Sequence, residues 1–159
     1  MRLTRHTDYV LRVLMQVGLN EGELVRISDI AESFGISRNH LTKIVHQLGT
    51  RGYLETRQGR GGGIRLARAP SKIVIGDVVR DFEEDLDLVE CFNPGRSECR
   101  IQSTCILRGA LGDALAAFLD ALDDTTLADL LEPRRRLRAL LDIDEPPGAR
   151  QPIAPALTA

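Results

Sequence analysis

Apolar side chains recur at helical spacing near the start of the chain. Val10, Leu14 and Val17, with Leu11 and Val13 beside them, put one oily stripe on a segment from Thr4 to Leu19 that Gly18 and Asn20 close. A second, shorter helix is predicted from Ser28, whose hydroxyl can cap it, to Phe34, with Gly35 ending it. Ser37 caps a third that reaches Gly49. In it Leu41, Ile44, Val45 and Leu48 follow the i, i+3, i+4, i+7 rule, while Asn39, Lys43, His46 and Thr50 fall on the opposite side. Helix, glycine-bearing turn and helix make a helix-turn-helix pattern. Tyr53 to Arg57 and Ile64 to Leu66 then read as two short strands around a glycine-rich turn, which adds a hairpin wing.

Beyond Pro70 a helix is predicted from Gly76 to Glu83, followed by an acidic run to Asp87 that reads as a solvated face. The stretch from Cys91 to Cys105 has no apolar period and contains Asn93-Pro94-Gly95, so it is expected to be a loop. A long helix begins near Cys105 and continues to about Leu122, with Leu107, Ala110, Leu111, Ala114, Leu115, Phe118, Leu119 and Leu122 at spacings of three and four. That stripe is broader than the rest of the chain can cover, which points to a homodimer built on this helix. A short helix from Thr126 to Leu131 stops before Pro133, and Arg134-Arg135-Arg136 sits on a helix flank. Prolines crowd the chain from Glu145 onward, so a disordered tail is expected there. The expected fold is mainly α with a small β-wing. A winged helix-turn-helix DNA-binding domain spans 1–70, the cysteine loop and dimerisation helices span 71–144, and the tail spans 145–159.

Composition agrees with this architecture. The 159 residues exclude a large catalytic barrel, and 43% hydrophobic with 28% charged residues suits a packed core. Aromatics make up only 4% and Trp is absent, so the core is aliphatic. The apolar stretch from Tyr9 to Val17 is broken by Arg12 and Gln16 and is neither a signal-peptide core nor a membrane span. A cytoplasmic protein without a membrane partner is expected. The net charge of -2 hides an asymmetry: residues 1–70 carry 11 Lys and Arg against 6 Asp and Glu, and the remainder carries 10 against 17. The amino-terminal half is therefore the one suited to a polyanion.

Candidate chemistry follows from that half. The outer face of the third helix is polar and cationic without a carboxylate, and the hairpin turn carries Arg57, Arg60 and Arg65 with no acid between them. A nucleotide-phosphate loop is the rival reading of the glycine run, but no Gly-Lys-Ser/Thr ending and no helix follow it. The predicted contacts to double-stranded operator DNA are Ser37, Arg38, Asn39, His40, Lys43, His46, Arg57, Arg60, Gly61, Gly62 and Arg65. Asn39 and His46 are expected to influence base preference, and Lys43, Arg57, Arg60 and Arg65 overall affinity. No nucleophile with a base, phosphate loop or carboxylate pair emerges, so an enzyme is not expected.

Three cysteines remain, spaced Cys91-x7-Cys99-x5-Cys105. Zinc knuckles prefer two to four residues between thiolates, whereas wider gaps suit an iron-sulfur cluster whose irons each take one thiolate. Zinc, free thiols and redox-active thiols are the alternatives. Arg96, Arg100 and Arg108 interleave with the cysteines and would favour thiolates.

These features together resemble the iron-sulfur winged-helix transcription regulators, the family that includes IscR, RirA and NsrR. The resemblance covers residues 1 to about 140. It rests on the opening Met1-Arg2-Leu3-Thr4-Arg5-His6-Thr7-Asp8-Tyr9 and the run Ile36-Ser37-Arg38-Asn39-His40-Leu41-Thr42-Lys43. The wing Gly59-Arg60-Gly61-Gly62-Gly63-Ile64-Arg65-Leu66, the stretch from Ile75 to Arg80, and three loop cysteines before a dimer helix complete it. It is strongest toward the nitric-oxide-sensing NsrR branch. IscR-like members carry a histidine three residues after the third cysteine, where Arg108 stands here, while NsrR-like members use a first-helix aspartate from the other subunit, matched by Asp8. The resemblance therefore implies a homodimeric repressor with a cluster, 4Fe-4S rather than 2Fe-2S, held by Cys91, Cys99, Cys105 and the second copy's Asp8. Nitrosylation of that cluster would release the operator. His6 or solvent is the competing fourth ligand. The competing functions are a sensor of cluster supply, iron or redox state, and, in another class, a cluster-carrying electron-transfer or scaffold protein. The first cysteine gap of seven residues is wider than in many such proteins.

Overall fold

The computed structural model describes residues 2–20, 22–93, 95 and 97–143. The expected tail at 145–159 lies outside the described residues. Seven helices and one hairpin appear among them: α1 (Arg5–Leu19), α2 (Ile27–Phe34), α3 (Arg38–Thr50), β1 (Leu54–Arg57), β2 (Gly63–Leu66), α4 (Ile75–Phe82), α5 (Ile106–Asp123), α6 (Leu127–Leu130) and α7 (Arg134–Leu140). The architecture is mainly helical with a two-stranded wing, as the apolar pattern predicts.

Helix α1 starts where the Thr4 hydroxyl accepts the Thr7 N–H at 3.2 Å, which satisfies one donor of the first turn. Its Val10, Val13 and Leu14 are fully buried, and so are Leu41, Ile44 and Leu48 of α3, which fit against them. Helix α2 begins one residue earlier than its sequence suggests. Arg26 occupies the cap position without a side-chain bond, and the Ser28 hydroxyl donates instead to Asp29 Oδ1 at 3.0 Å. The reason is the segment before it. Val25 pairs with Ile64 of the wing through N–H to carbonyl bonds of 2.9 and 2.8 Å, and the chain turns into the helix as soon as that pairing ends. Gly35 then takes a left-handed conformation (φ 63°) that turns the chain from α2 into α3.

The strands pair antiparallel with Leu54 opposite Leu66, Glu55 opposite Arg65, Thr56 opposite Ile64 and Arg57 opposite Gly63. Tyr53 precedes the ladder rather than joining it. It is buried, and its hydroxyl donates to Asp81 Oδ2 of α4 at 2.6 Å. Burial, reinforced by that bond to Asp81, holds its phenol above the usual tyrosine range.

Residues on both sides of position 70 share one core. Ile73, Ile75, Val78, Phe82, Leu127 and Leu131 belong to the same buried cluster as the apolar residues of α1 and α3. Thr126 and Asp129 form a capping box that starts α6, and the Thr126 hydroxyl and backbone N–H hold the Asp129 carboxyl below its usual range. The basic run lies on a helix, at the beginning of α7. Arg134 Nη2 and Arg138 Nη1 both donate to the Leu19 carbonyl, at 3.1 and 2.6 Å, so two guanidiniums close the negative end of α1. Arg138 is buried in doing so.

Helix α5 differs from the others. The segment before it is a loop, as expected, containing two 3-10 turns at Glu90–Phe92 and Gln102–Thr104. The helix is held at its far end by a two-bond contact from Arg80 to Asp123, yet none of its residues is buried. Leu107 is 65% exposed and Ile106 88%.

The clamp on Leu19 yields a stability prediction. Arg138→Ala leaves that carbonyl with one donor fewer in a buried setting. It should lower the unfolding free energy by about 1–3 kcal/mol, measured by urea denaturation.

Candidate functional site

Two clusters of candidate residues emerge, one on α3 and the wing, the other in the cysteine segment. On α3, Ser37 caps the helix by accepting the His40 N–H, and Arg38, Asn39, Lys43 and His46 stand exposed on one side. Thr42 shares their exposed surface, its hydroxyl donating to the Arg38 carbonyl at 2.9 Å. The sequence reading gave it no role, although it follows Arg38 and precedes His46 by one helical turn each. His40 is placed differently. Its ring is half-buried and packs on α1, 6.4 Å from the His6 ring and 5.4 Å from the Tyr9 ring between centroids.

The wing presents Arg57 and Arg60 exposed, and no carboxylate pairs with either among the described residues. Arg65 is exposed too, but the antiparallel register sets Glu55 opposite it, and the two pair at 2.6 Å. An acid just before the turn therefore compensates one of the three arginines, which an inspection of the turn alone overlooks. Gly62 is required by space: a Cβ there would collide with the Arg57 carbonyl and lie 2.9 Å from that of Gly59. Gly61 beside it has φ 78°. The corner joining α3 to the wing is stiffened by cation–ring contacts, Arg51 over Phe82 at 4.7 Å and Arg68 over Tyr53 at 4.6 Å.

The cysteines are all unpaired. Cys91 is buried and Cys99 and Cys105 are half-buried, with Cys105 at the start of α5. Gln102 and Arg108 both donate to the Cys91 carbonyl, at 3.2 and 3.1 Å, drawing the two ends of the segment together. Arg108 is thus engaged by a backbone oxygen, with the Phe92 ring 6.0 Å away. Arg100 is exposed, and Arg96 lies outside the described residues. No three His, Cys, Asp or Glu side chains converge around a single ion among the described residues. A cluster several ångströms across asks for a wider arrangement, and three soft thiols in one segment are a donor set that suits it.

Asp8 stands apart from the cysteines, in the first turn of α1. It forms an ion pair with Arg12 at 2.8 Å, and both side chains are nearly half exposed. The Arg12 guanidinium lies 5.7 Å from the rings of both Tyr9 and Phe34.

Comparison with known proteins names the family. The family model for Rrf2, described as an iron-dependent transcriptional regulator, matches residues 3–133. The chain belongs to the Rrf2 family. The HTH-type transcriptional regulator NsrR of Geobacillus kaustophilus is 57% identical to this Rrf2 protein over 142 residues, covering 89% of it and 97% of the relative. The NsrR of Bacillus subtilis is 47% identical over 146 residues, 91% of this chain and all of that one. Among solved structures, IscR of T. potens superposes with a TM-score of 0.69 over 87% of this chain and 91% of its own at 22% identity, which bears on the fold. These relatives are regulators, not enzymes. This Rrf2 protein is accordingly a DNA-binding transcriptional regulator of the NsrR-like kind, with a winged helix-turn-helix as its DNA-binding fold. No described helix is long and apolar enough to cross a membrane.

The exposed, uncompensated Arg60 gives a direct test of the wing. Arg60→Ala should weaken operator and random-sequence duplexes by the same factor and reduce the log–log salt slope by about 1, read by fluorescence anisotropy across salt concentrations.

Proposed function

We propose that this Rrf2 protein is a homodimeric repressor that senses nitric oxide through one iron-sulfur cluster per chain. The observation that carries the reading is a set of three unpaired cysteines between α4 and α5 in a chain that is 57% identical to an NsrR. Cys91, Cys99 and Cys105 would hold the cluster, in its 4Fe-4S form, and Asp8 of a second copy would supply the fourth ligand. When bound, the cluster supplies iron that reacts with nitric oxide, and this is how the signal would enter.

The rest is the work of the chain's own residues. The apolar stripe of α5, from Leu107 to Leu122, is only partly covered within the chain, with Leu107 exposed and Leu111, Leu115, Phe118 and Leu119 half-buried, and a second copy of the same helix would bury the remainder. Two α3 helices related by a two-fold axis would then meet two half-sites of a pseudo-palindromic operator. On each, Asn39 and His46 would read base edges, with Ser37, Arg38 and Lys43 beside them. Arg57, Arg60 and the backbone of Gly61 and Gly62 would follow the phosphates, and Arg65, already paired with Glu55, would contribute less. Asp8 belongs to the helix on which α3 packs, so a carboxylate engaged across the dimer would tie the cysteine segment of one chain to the reading helix of the other. A carboxylate is a weaker ligand than thiolate for iron already bound by sulfides, and the most readily surrendered of the four.

The family's description as iron-dependent favours one second reading, a regulator that responds to iron or cluster supply. Anaerobic native mass spectrometry with visible absorbance separates them. The wild-type protein should appear as a dimer with one 4Fe-4S mass increment per chain, and nitric oxide should bleach its absorbance within stoichiometric addition. Cys91→Ser, Cys99→Ser and Cys105→Ser should each lose the increment, and Asp8→Ala should keep it with an altered spectrum. Leu115→Asp, which would bury a charge in the proposed interface, should give monomers. A cluster indifferent to nitric oxide but lost on iron depletion would favour the second reading.

A further inference from the structure

Side-chain rings around the first turn of α1 form a continuous packed series. His6 stacks on His40 with centroids 6.4 Å apart and 29° between planes, and lies 6.0 Å from Phe82 of α4. Tyr9 meets the same His40 edge-on, at 5.4 Å and 77°. His6 and Tyr9 flank Asp8 in the chain, so the turn that carries the proposed ligand grips His40 from two directions. His40 itself sits in the first turn of α3, next to Arg38 and Asn39, and the amino-terminal end of a recognition helix is the end that reaches base edges. Its exposed neighbours could face a duplex, whereas His40 is half-buried against α1. Close-packed side chains pass a displacement on to their neighbours rather than absorb it. A shift of the Asp8 turn therefore pushes on the first turn of α3 through the His40 ring.

We propose that His40 is a positioning residue which ties the base-reading end of α3 to the Asp8 turn of α1, so that operator affinity follows the position of that turn. This deepens the proposed function and rests on it. Ring packing is the operative contact, and the nitrogens of the imidazole are not needed for it. The role differs from the direct DNA contact that its place in the sequence suggests.

The test uses the full-length dimer, cluster-loaded and cluster-free, with a duplex selected from random-sequence DNA by the wild-type protein. The quantity read is the ratio of the two affinities. His40→Ala should shrink the ratio by about fivefold. His40→Phe, which keeps a flat ring, should restore it. A second readout needs no cluster. In the cluster-free protein, His6→Ala should speed amide hydrogen exchange at residues 38–41, and the same change made in a His40→Ala background should add nothing. An unchanged ratio in His40→Ala would overturn the role, as would additive exchange effects. Equal loss of affinity in both states with altered base preference, unrepaired by His40→Phe, would make His40 a base contact instead. A wild-type ratio of one would overturn the underlying switch and this role with it, whereas an intact wild-type ratio confines any failure to His40.

Discussion

Helix α1 is packed along its length by α3 on one side and by α4, α6 and α7 on others, and both of its ends are held by groups from distant parts of the chain. The Thr4 N–H donates to Glu83 Oε1 at 2.7 Å, and the Leu19 carbonyl accepts from two arginines of α7. Val10, Val13 and Leu14 have no exposed surface. A helix so enclosed cannot bend or slide alone, because its interior neighbours are close-packed. It forms a spine, and the turn that carries Asp8 packs on the start of α3 through the His6, Tyr9 and His40 rings.

That constraint explains the division of labour across the molecule. Charge able to meet phosphate gathers on the exposed side of α3 and at the wing tip, where Arg57 and Arg60 lack a carboxylate partner among the described residues. The three free cysteines gather between α4 and α5. The two regions touch the same spine: α4 packs on α1 through Val78 and Phe82, and the Arg80–Asp123 pair carries α4 to the end of α5. The stripe of α5 is only partly covered: Leu111, Leu115, Phe118 and Leu119 are half-buried and Leu107 is exposed, so part of its apolar area faces water.

Much of this could be read from residue order, for identifiable reasons. α1, α3 and α5 have apolar spacings long enough to be unambiguous. The wing was visible in its glycines and arginines. What escaped was non-local. Nothing near Val25 signals that it pairs with Ile64, yet that pairing moves the start of α2 away from the Ser28 cap. Arg138 is buried although charged, because the carbonyl it satisfies belongs to a helix far back in the chain, a partner that residue order does not indicate. Glu55 neutralises Arg65 only through strand register, and His40 turns inward only because α1 brings two rings to it. Periodicity reports which face of an element is oily, and it is silent about which distant polar group will meet it.

The central proposal is that the state of a cluster held by the cysteine segment would set the grip of α3 on DNA. The most direct measurement is an anaerobic titration of cluster-loaded dimer onto an operator duplex, repeated on the same sample after stepwise addition of nitric oxide. Tight binding at the start, lost in proportion to the nitric oxide added, is the predicted result. Binding that is equally tight before and after the cluster absorbance has gone would contradict it.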